Sequence, residues 1–192
     1  LEYQLETPLT DEDVRKLEIG DIVYLSGLIY TLRDRAHQRA IEYKAQGKAL
    51  PIDLRGAVIY HCGPIVKEEK EKWYIVVAGP TTSARLNRIE PEFIEKFGVK
   101  GIIGKGGMDN GVLEAMVEYG CVYLAFPGGC AVLAASFIEK VEGVEWYDLG
   151  MAEAIWKLRV KNFGPLIVAM DTHGDSIYNN VAELTPSLDE IL

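Results

Sequence analysis

Basic residues are in short supply: 20 Lys and Arg stand against 29 Asp and Glu in 192 residues, a net charge of -9 at neutral pH. The chain has no general positive field to draw in a phosphate backbone, so nucleic acid is not an expected partner. A small anion is not excluded, because a few cations gathered in one cleft reverse the potential there. Cysteine is scarcer still. Cys62, Cys121 and Cys130 are odd in number and widely spaced, unlike the even, dense framework of a secreted disulfide scaffold, and they form no close pair of the cluster-binding kind. His37, His61 and His173 are scattered without metal-ligand spacing, so the chain is expected to hold no metal of its own. No apolar run approaches membrane-spanning length. The opening Leu1-Glu2-Tyr3-Gln4 has neither the basic flank nor the apolar stretch of a signal peptide, so a cytoplasmic protein with reduced thiols is expected.

What the sequence does have is 48% hydrophobic residues without repeats, polar tracts or an obvious linker, which points to one compact domain over residues 1–192. Strand-like and helix-like segments alternate, the mark of an α/β fold. Thr10-Asp11-Glu12-Asp13 offers a capping hydroxyl and acids for a short helix. Residues 21–31 read as a strand and 33–46 as a helix closed by Gly47. Apolar runs at 56–61 and 73–78 bracket the charged Lys67-Glu68-Glu69-Lys70-Glu71-Lys72, the pattern of two strands joined by a solvated turn. Further along, the pattern gives helices at 90–97, 111–119 and 130–141, strands at 99–103, 121–126, 144–148 and 165–170, and a peripheral helical tail after Asp175.

In three places a strand runs straight into glycine, polar and cationic residues, where α/β folds collect ligand groups. The first is Thr31-Leu32-Arg33-Asp34-Arg35-Ala36-His37. Cations at a helix start face the positive end of its dipole and call for a nearby anion, which could be Asp34 itself or a ligand. In the second, Gly79-Pro80-Thr81-Thr82-Ser83-Ala84-Arg85, three hydroxyls beside free amides make a carboxylate cradle or an ordinary helix cap. If a helical turn begins at Thr81, Thr81 and Arg85 share a face. The third, Gly101 to Met108, brings Lys105 between glycines. It lacks the Walker spacing, which leaves a carboxylate-binding or proton-transferring Lys, or a tight turn with an exposed one. Phe126 to Val132 and Asp171 to Asp175 are further loops able to shape a cleft. Cys130, at a helix start with no base beside it in sequence, reads as structural.

Taken together, Ile29 to His37, Gly79 to Arg85, Gly104 to Met108, Asp148-Leu149-Gly150-Met151-Ala152-Glu153-Ala154, Phe163 to Val168 and Asp171-Thr172-His173-Gly174 resemble, in the same order, the C-terminal part of class I fumarases. The same motifs are similar to the β subunit of L-tartrate dehydratase, and Phe126 to Leu133 is particularly so. The resemblance implies a layered, swivelling β/β/α domain and a hydro-lyase interconverting fumarate and L-malate, with tartrate as the alternative substrate and a non-catalytic small-acid-binding module as a third reading. It implies a partner α subunit, hence a hetero-oligomer, whose cysteines hold a four-iron, four-sulfur cluster with one open iron acting as a Lewis acid.

By the family pattern, Thr81 and Lys105 would be catalytic, Thr81 as the proposed base and Lys105 stabilising the dianion, while Arg33, Arg85 and Thr82 would bind substrate. A free Thr hydroxyl is a poor base and needs a cationic neighbour or a relay. Leu32 stands where a small residue is usual, Ala152 where Pro is frequent, and Arg35 is an additional cation, so Arg33 and Arg35 compete for the carboxylate-binding role.

Overall fold

The structure is a computed structural model and describes residues 1–127 and 129–179. In chain order come β1 (Glu2–Glu6), α1 (Asp11–Arg15), β2 (Ile22–Thr31), α2 (Asp34–Ala45), β3 (Val58–Tyr60), β4 (Ile65–Glu69), β5 (Lys72–Val77), α3 (Glu90–Phe97), β6 (Gly101–Gly104), α4 (Asn110–Tyr119), β7 (Val122–Ala125), α5 (Ala131–Ser136), β8 (Ile138–Glu145) and β9 (Ile155–Met170). Short 3-10 turns stand at Ser83–Leu86 and Tyr147–Leu149.

The main sheet runs β1-β2-β3-β6-β7-β9-β8, and β9 also pairs back onto β2, closing β2, β3, β6, β7 and β9 into a barrel-like ring. The first five strands of that order are mutually parallel, whereas β9 lies antiparallel to β2, β7 and β8. Closure gives every strand of the ring a neighbour on both sides and leaves the free edges to β1 and β8. The pleat then sorts the side chains. Val23, Leu25, Ile29, Val58, Tyr60, Ile103, Val122, Leu124 and Phe163 fill the barrel, while Ile59, Ile102 and Tyr123 point the other way, against α2, α3 and α4. The mixed α/β architecture expected from the alternating pattern is thus present, with two cores sharing one sheet. Phe163 anchors the inner one: its ring lies 5.5 Å from Tyr60, 5.2 Å from Phe126 and 5.7 Å from Phe137, tilted and edge-on arrangements that add to its burial.

Local chemistry explains much of the framework. Thr10 caps α1 as expected, and Asp13 completes a capping box with it, each side chain bonded to the other's backbone amide. α2 covers 34–45 and α3 and α4 fall where the periodicity put them. Three expectations need correction. The charged segment 67–72 does not join strands 56–61 and 73–78. Lys67 to Glu69 belong to β4, which pairs with β5 around a tip at Lys70 and Glu71, both at positive φ, while β3, buried on both faces, pairs within the barrel. The helix expected over 130–141 stops at Ser136, because residues from Ile138 pair with β9 and tertiary pairing overrides local preference. Finally, the expected strand at 144–148 is only the end of β8, and the last strand begins at Ile155, not 165. Lys157 and Arg159 give its first half a polar look, but they are neutralised across strands by Glu145 at 2.7 Å and Glu142 at 2.8 Å. The helical tail expected after Asp175 lies, from residue 180 onward, outside the described residues. No described helix is long and apolar enough to cross a membrane.

Candidate active site

Parallel strands β2, β3 and β6 are neighbours, so their carboxyl ends open side by side at one mouth, the place where such sheets bind ligands. Arg33 follows β2, His61 to Gly63 follow β3, and Lys105 follows β6. All three strand-to-glycine segments singled out in the sequence meet here, although they are spread along the chain from Thr31 to Met108.

Arg33 occupies the N-cap position of α2 and makes no side-chain cap. Glu153 serves instead. One of its carboxylate oxygens accepts from the backbone amide of Arg35 at 2.9 Å, and the other lies 3.4 Å from the Arg33 Nε. The resemblance included Glu153 without assigning it a role, and here it is the counter-ion that allows a cation at the positive end of the helix. Thr31 ties the same motif to β2 by accepting from the Trp156 amide at 3.0 Å. The guanidinium of Arg33 packs against Gly63, where a β-carbon would meet its Nη1 at 2.6 Å and the Ala152 carbonyl at 3.0 Å. Arg35 goes elsewhere, its Nη1 donating to the Leu149 carbonyl at 3.3 Å.

The 79–85 segment lies across the ends of β3 and β6. Thr81 donates to the His61 carbonyl twice, from its amide at 2.7 Å and from its hydroxyl at 3.3 Å. Thr82 forms a parallel bridge with Lys105, and the Ser83 amide donates to the Lys105 carbonyl at 3.1 Å. The helical turn begins only at Ser83 and Thr82 is extended, so the shared helical face of Thr81 and Arg85 is not formed. Bridging to the strand ends, not helical spacing, positions Thr81. Arg85 reaches toward α2, where its Nη2 lies 3.2 Å from Asp34 in a pair whose side chains are 48% and 41% exposed. An ion pair so exposed is worth about 0–1 kcal/mol, so exchanging Asp34 for a ligand carboxylate costs little.

Beneath this mouth lies a group that the sequence spacing hid. His37 on α2, His61 after β3 and Glu90 at the start of α3 are all fully buried, with both Nε2 atoms 3.4 Å from one Glu90 oxygen. Burial alone would raise the carboxyl, but the two facing imidazoles outweigh it and hold Glu90 below the usual range. Burial depresses both histidines; for His37 the Glu90 charge prevails and the net shift is upward, while His61 ends low. The available signal was His37 on the buried face of α2, between Ala36 and Ala40. Ser83 continues the set, 2.9 Å from the His61 Nδ1 and 2.9 Å from the Tyr123 hydroxyl. Gly104 makes room for it, since a β-carbon there would collide with Ser83 Oγ and stand 2.7 Å from the Tyr123 hydroxyl.

The loop at Asp171 turns out to be structural. The Asp171 carboxylate accepts from the amides of His173 and Asp175 and, across the fold, from Ile19 at 3.0 Å, fixing the exit of β9. Cys62 and Cys121 are buried in different cores, and burial pushes both thiols up. Among the described residues no three cysteines come together, so this chain's own thiols do not fit an iron-sulfur cluster. A cleft of about 560 Å³ between β5 and β8, lined by Trp73, Tyr74 and Val141, contains none of the converging residues.

Fold and mouth together define an α/β protein with a closed mixed sheet and a cation-lined opening at the carboxyl ends of its parallel strands. A family model described as Fumarase C-terminus matches residues 1–181, and the chain belongs to that family of hydro-lyases. It is 54% identical over 174 residues to a Methanocaldococcus jannaschii protein named "Putative L(+)-tartrate dehydratase subunit beta", covering 90% of this chain and 89% of the relative. It is 47% identical over 173 residues to the "L(+)-tartrate dehydratase subunit beta" of Escherichia coli K12, covering 90% and 85%. A "Putative fumarate hydratase class I" of Geobacillus stearothermophilus is 43% identical over 178 residues, which are 92% of this chain but 34% of that protein.

Proposed function

We propose that this chain is the β subunit of an iron-sulfur hydro-lyase that reversibly adds water to a four-carbon dicarboxylate, with fumarate and L-malate as the leading pair. The observation that carries the reading is the convergence of Arg33, Arg85, Thr81, Thr82 and Lys105 at one mouth. Two separated guanidinium groups suit the two carboxylates of such a substrate. Lys105, held beside Thr82, stabilises the dianion that forms when a proton leaves the carbon next to a carboxylate. Thr81 presents a hydroxyl fixed from behind by the His61 carbonyl and is the proposed base, with Lys105 and Arg85 as the cations that make its alkoxide accessible.

The chain is a single domain over residues 1–192 of the swivelling β/β/α type, working in the cytoplasm with a cluster-bearing α subunit in a hetero-oligomer. Support for a separate partner comes from the relatives named as β subunits, which this chain matches over most of their length. Those same names favour a second substrate reading, tartrate, which differs from malate by one hydroxyl and would be told apart only by a group that hydrogen-bonds it.

The test is an anaerobic turnover assay of the chain mixed with its α subunit, offering L-malate and L-tartrate in parallel, with each chain alone as control. Turnover of malate by the mixture only is the expected result. Preference for tartrate moves the substrate and leaves the reaction class, while activity of either chain alone sinks the shared site.

A further inference from the structure

His37, His61 and Glu90 present three ligand atoms within 4.8 Å of one another, a composition that also suits a divalent cation. Their protons argue otherwise. The His37 Nδ1 lies 2.8 Å from the Arg33 carbonyl, which can only accept, so that nitrogen carries hydrogen. Its Nε2 faces the Glu90 carboxylate in a site closed to water. A bare lone pair there would oppose the carboxylate's own, so Nε2 is protonated as well and His37 is an imidazolium.

His61 differs. Tyr123 donates to Ser83, which leaves the single Ser83 proton for the His61 Nδ1, so His61 is neutral and turns an Nε2–H toward Glu90. One positive and one negative charge then cancel. A divalent ion facing one carboxylate would leave a net charge buried at 0% exposure, which costs several kcal/mol or more.

We propose that Glu90 is a positioning residue whose buried carboxylate, between an imidazolium His37 and a neutral His61, fixes the substrate-binding segments relative to one another. The linkage follows from the contacts. His37 holds the Arg33 carbonyl from both its amide and its ring. The His61 carbonyl holds Thr81, and the His61 ring reaches Ser83, whose amide holds Lys105. Arg33, Thr81 and Lys105 are thereby tied to one carboxylate that touches none of them. The role rests on the dicarboxylate hydro-lyase reading; the charge assignment does not.

With three histidines in the chain, proton–nitrogen correlation NMR of histidine-labelled full chain decides the protonation states directly. Exposed His173 is the internal reference. Near neutral pH the expected spectrum has His37 protonated on both nitrogens and His61 as the neutral Nε2–H form. Two neutral buried imidazoles, or one equivalent of divalent metal per chain by elemental analysis, would overturn the proposal. Glu90→Gln keeps the shape and removes the charge. It is expected to abolish the imidazolium signal, weaken malonate binding to the chain about tenfold, and lower kcat of the reconstituted complex about a hundredfold, the scale of small misplacements of reacting groups. Malonate affinity and kcat both within twofold of native would overturn the positioning role. If Glu90→Gln does not fold, Ser83→Ala must shift the His61 resonances and lower kcat, and no change in either overturns the linkage. A native complex that binds malonate but turns over neither malate nor tartrate sinks the hydro-lyase reading while the malonate and NMR results still decide the network.

Discussion

Gly63 and Arg33 touch so closely that no larger residue fits at 63 without moving the guanidinium: a β-carbon would stand 2.6 Å from its Nη1. Gly63→Ala should therefore displace Arg33, the flexible partner, and leave the barrel in place. An increase of about tenfold in apparent KM, about 1.4 kcal/mol of binding, with the melting temperature nearly unchanged, is the expected outcome. Steady-state kinetics alongside a thermal melt check it, and an unchanged KM would remove Arg33 from the site.

The choice between Arg33 and Arg35 follows from where each points. Arg33→Met should raise KM strongly. Arg35→Met should change it little, because the Arg35 guanidinium is directed to the Leu149 carbonyl. The reverse order in paired KM measurements would reassign the carboxylate contact.

Thr81→Ala removes the hydroxyl and keeps the backbone bond to His61. Turnover should be abolished while malonate affinity stays close to native, a split readable by calorimetry and assay on the same samples. Near-normal turnover would place the base elsewhere.

If Arg85 exchanges Asp34 for a ligand carboxylate, as proposed, Asp34→Asn should leave kcat nearly intact and shift KM by less than about threefold, in keeping with an exposed pair worth about 0–1 kcal/mol. A collapse of activity in Asp34→Asn would mean that this carboxylate takes part in the reaction.

The buried ions predict how stability depends on pH. His37 is raised above its ordinary 6.5 in the folded chain, chiefly by Glu90 acting against burial and with a smaller contribution from Asp34. Its contribution is therefore complete below pH 6.5 and lost as pH rises through the folded value. Glu90 is depressed below its ordinary 4.5, so its contribution is present above that value and lost as pH falls through the folded one. His61 is also depressed and acts against the fold below pH 6.5. Comparing urea midpoints of native protein and His37→Gln across pH isolates the first effect. The gap between them should be widest near pH 6 and close as the solution becomes alkaline. A gap that widens toward high pH contradicts the imidazolium.

The residues that converge at the candidate site were more legible in the sequence than the fold around them. Arg33, Thr81, Arg85 and Lys105 announce themselves because cations and hydroxyls directly after apolar strands have few structural uses. The alternation of β2 and the capping box of Thr10 and Asp13 are equally local signals. Glu153, His37, His61 and Glu90 were not read as a set because nothing local distinguishes a buried carboxylate from a solvated one. Their meaning comes from partners about 25 to 120 positions away. Strand β9 was half missed for a related reason: Lys157 and Arg159 look like a surface until Glu142 and Glu145 are placed opposite them.

The strand that closes the barrel is also the last of the described strands in chain order. Until Ile155–Met170 emerges, β2 and β7 each lack a neighbour, and the register pairs Ile22 with Ile167 and Tyr30 with Lys157 across more than a hundred residues. Contacts of such separation are slow to form because the long intervening loop must first be closed. Glu153 immediately precedes that strand, so the counter-ion of Arg33 arrives only when the ring shuts. A nascent or truncated chain ending before β9 would expose the interior of the barrel and leave Arg33 without its counter-ion, which makes the arrival of β9 the step at which this domain becomes safe from aggregation and its candidate site is assembled.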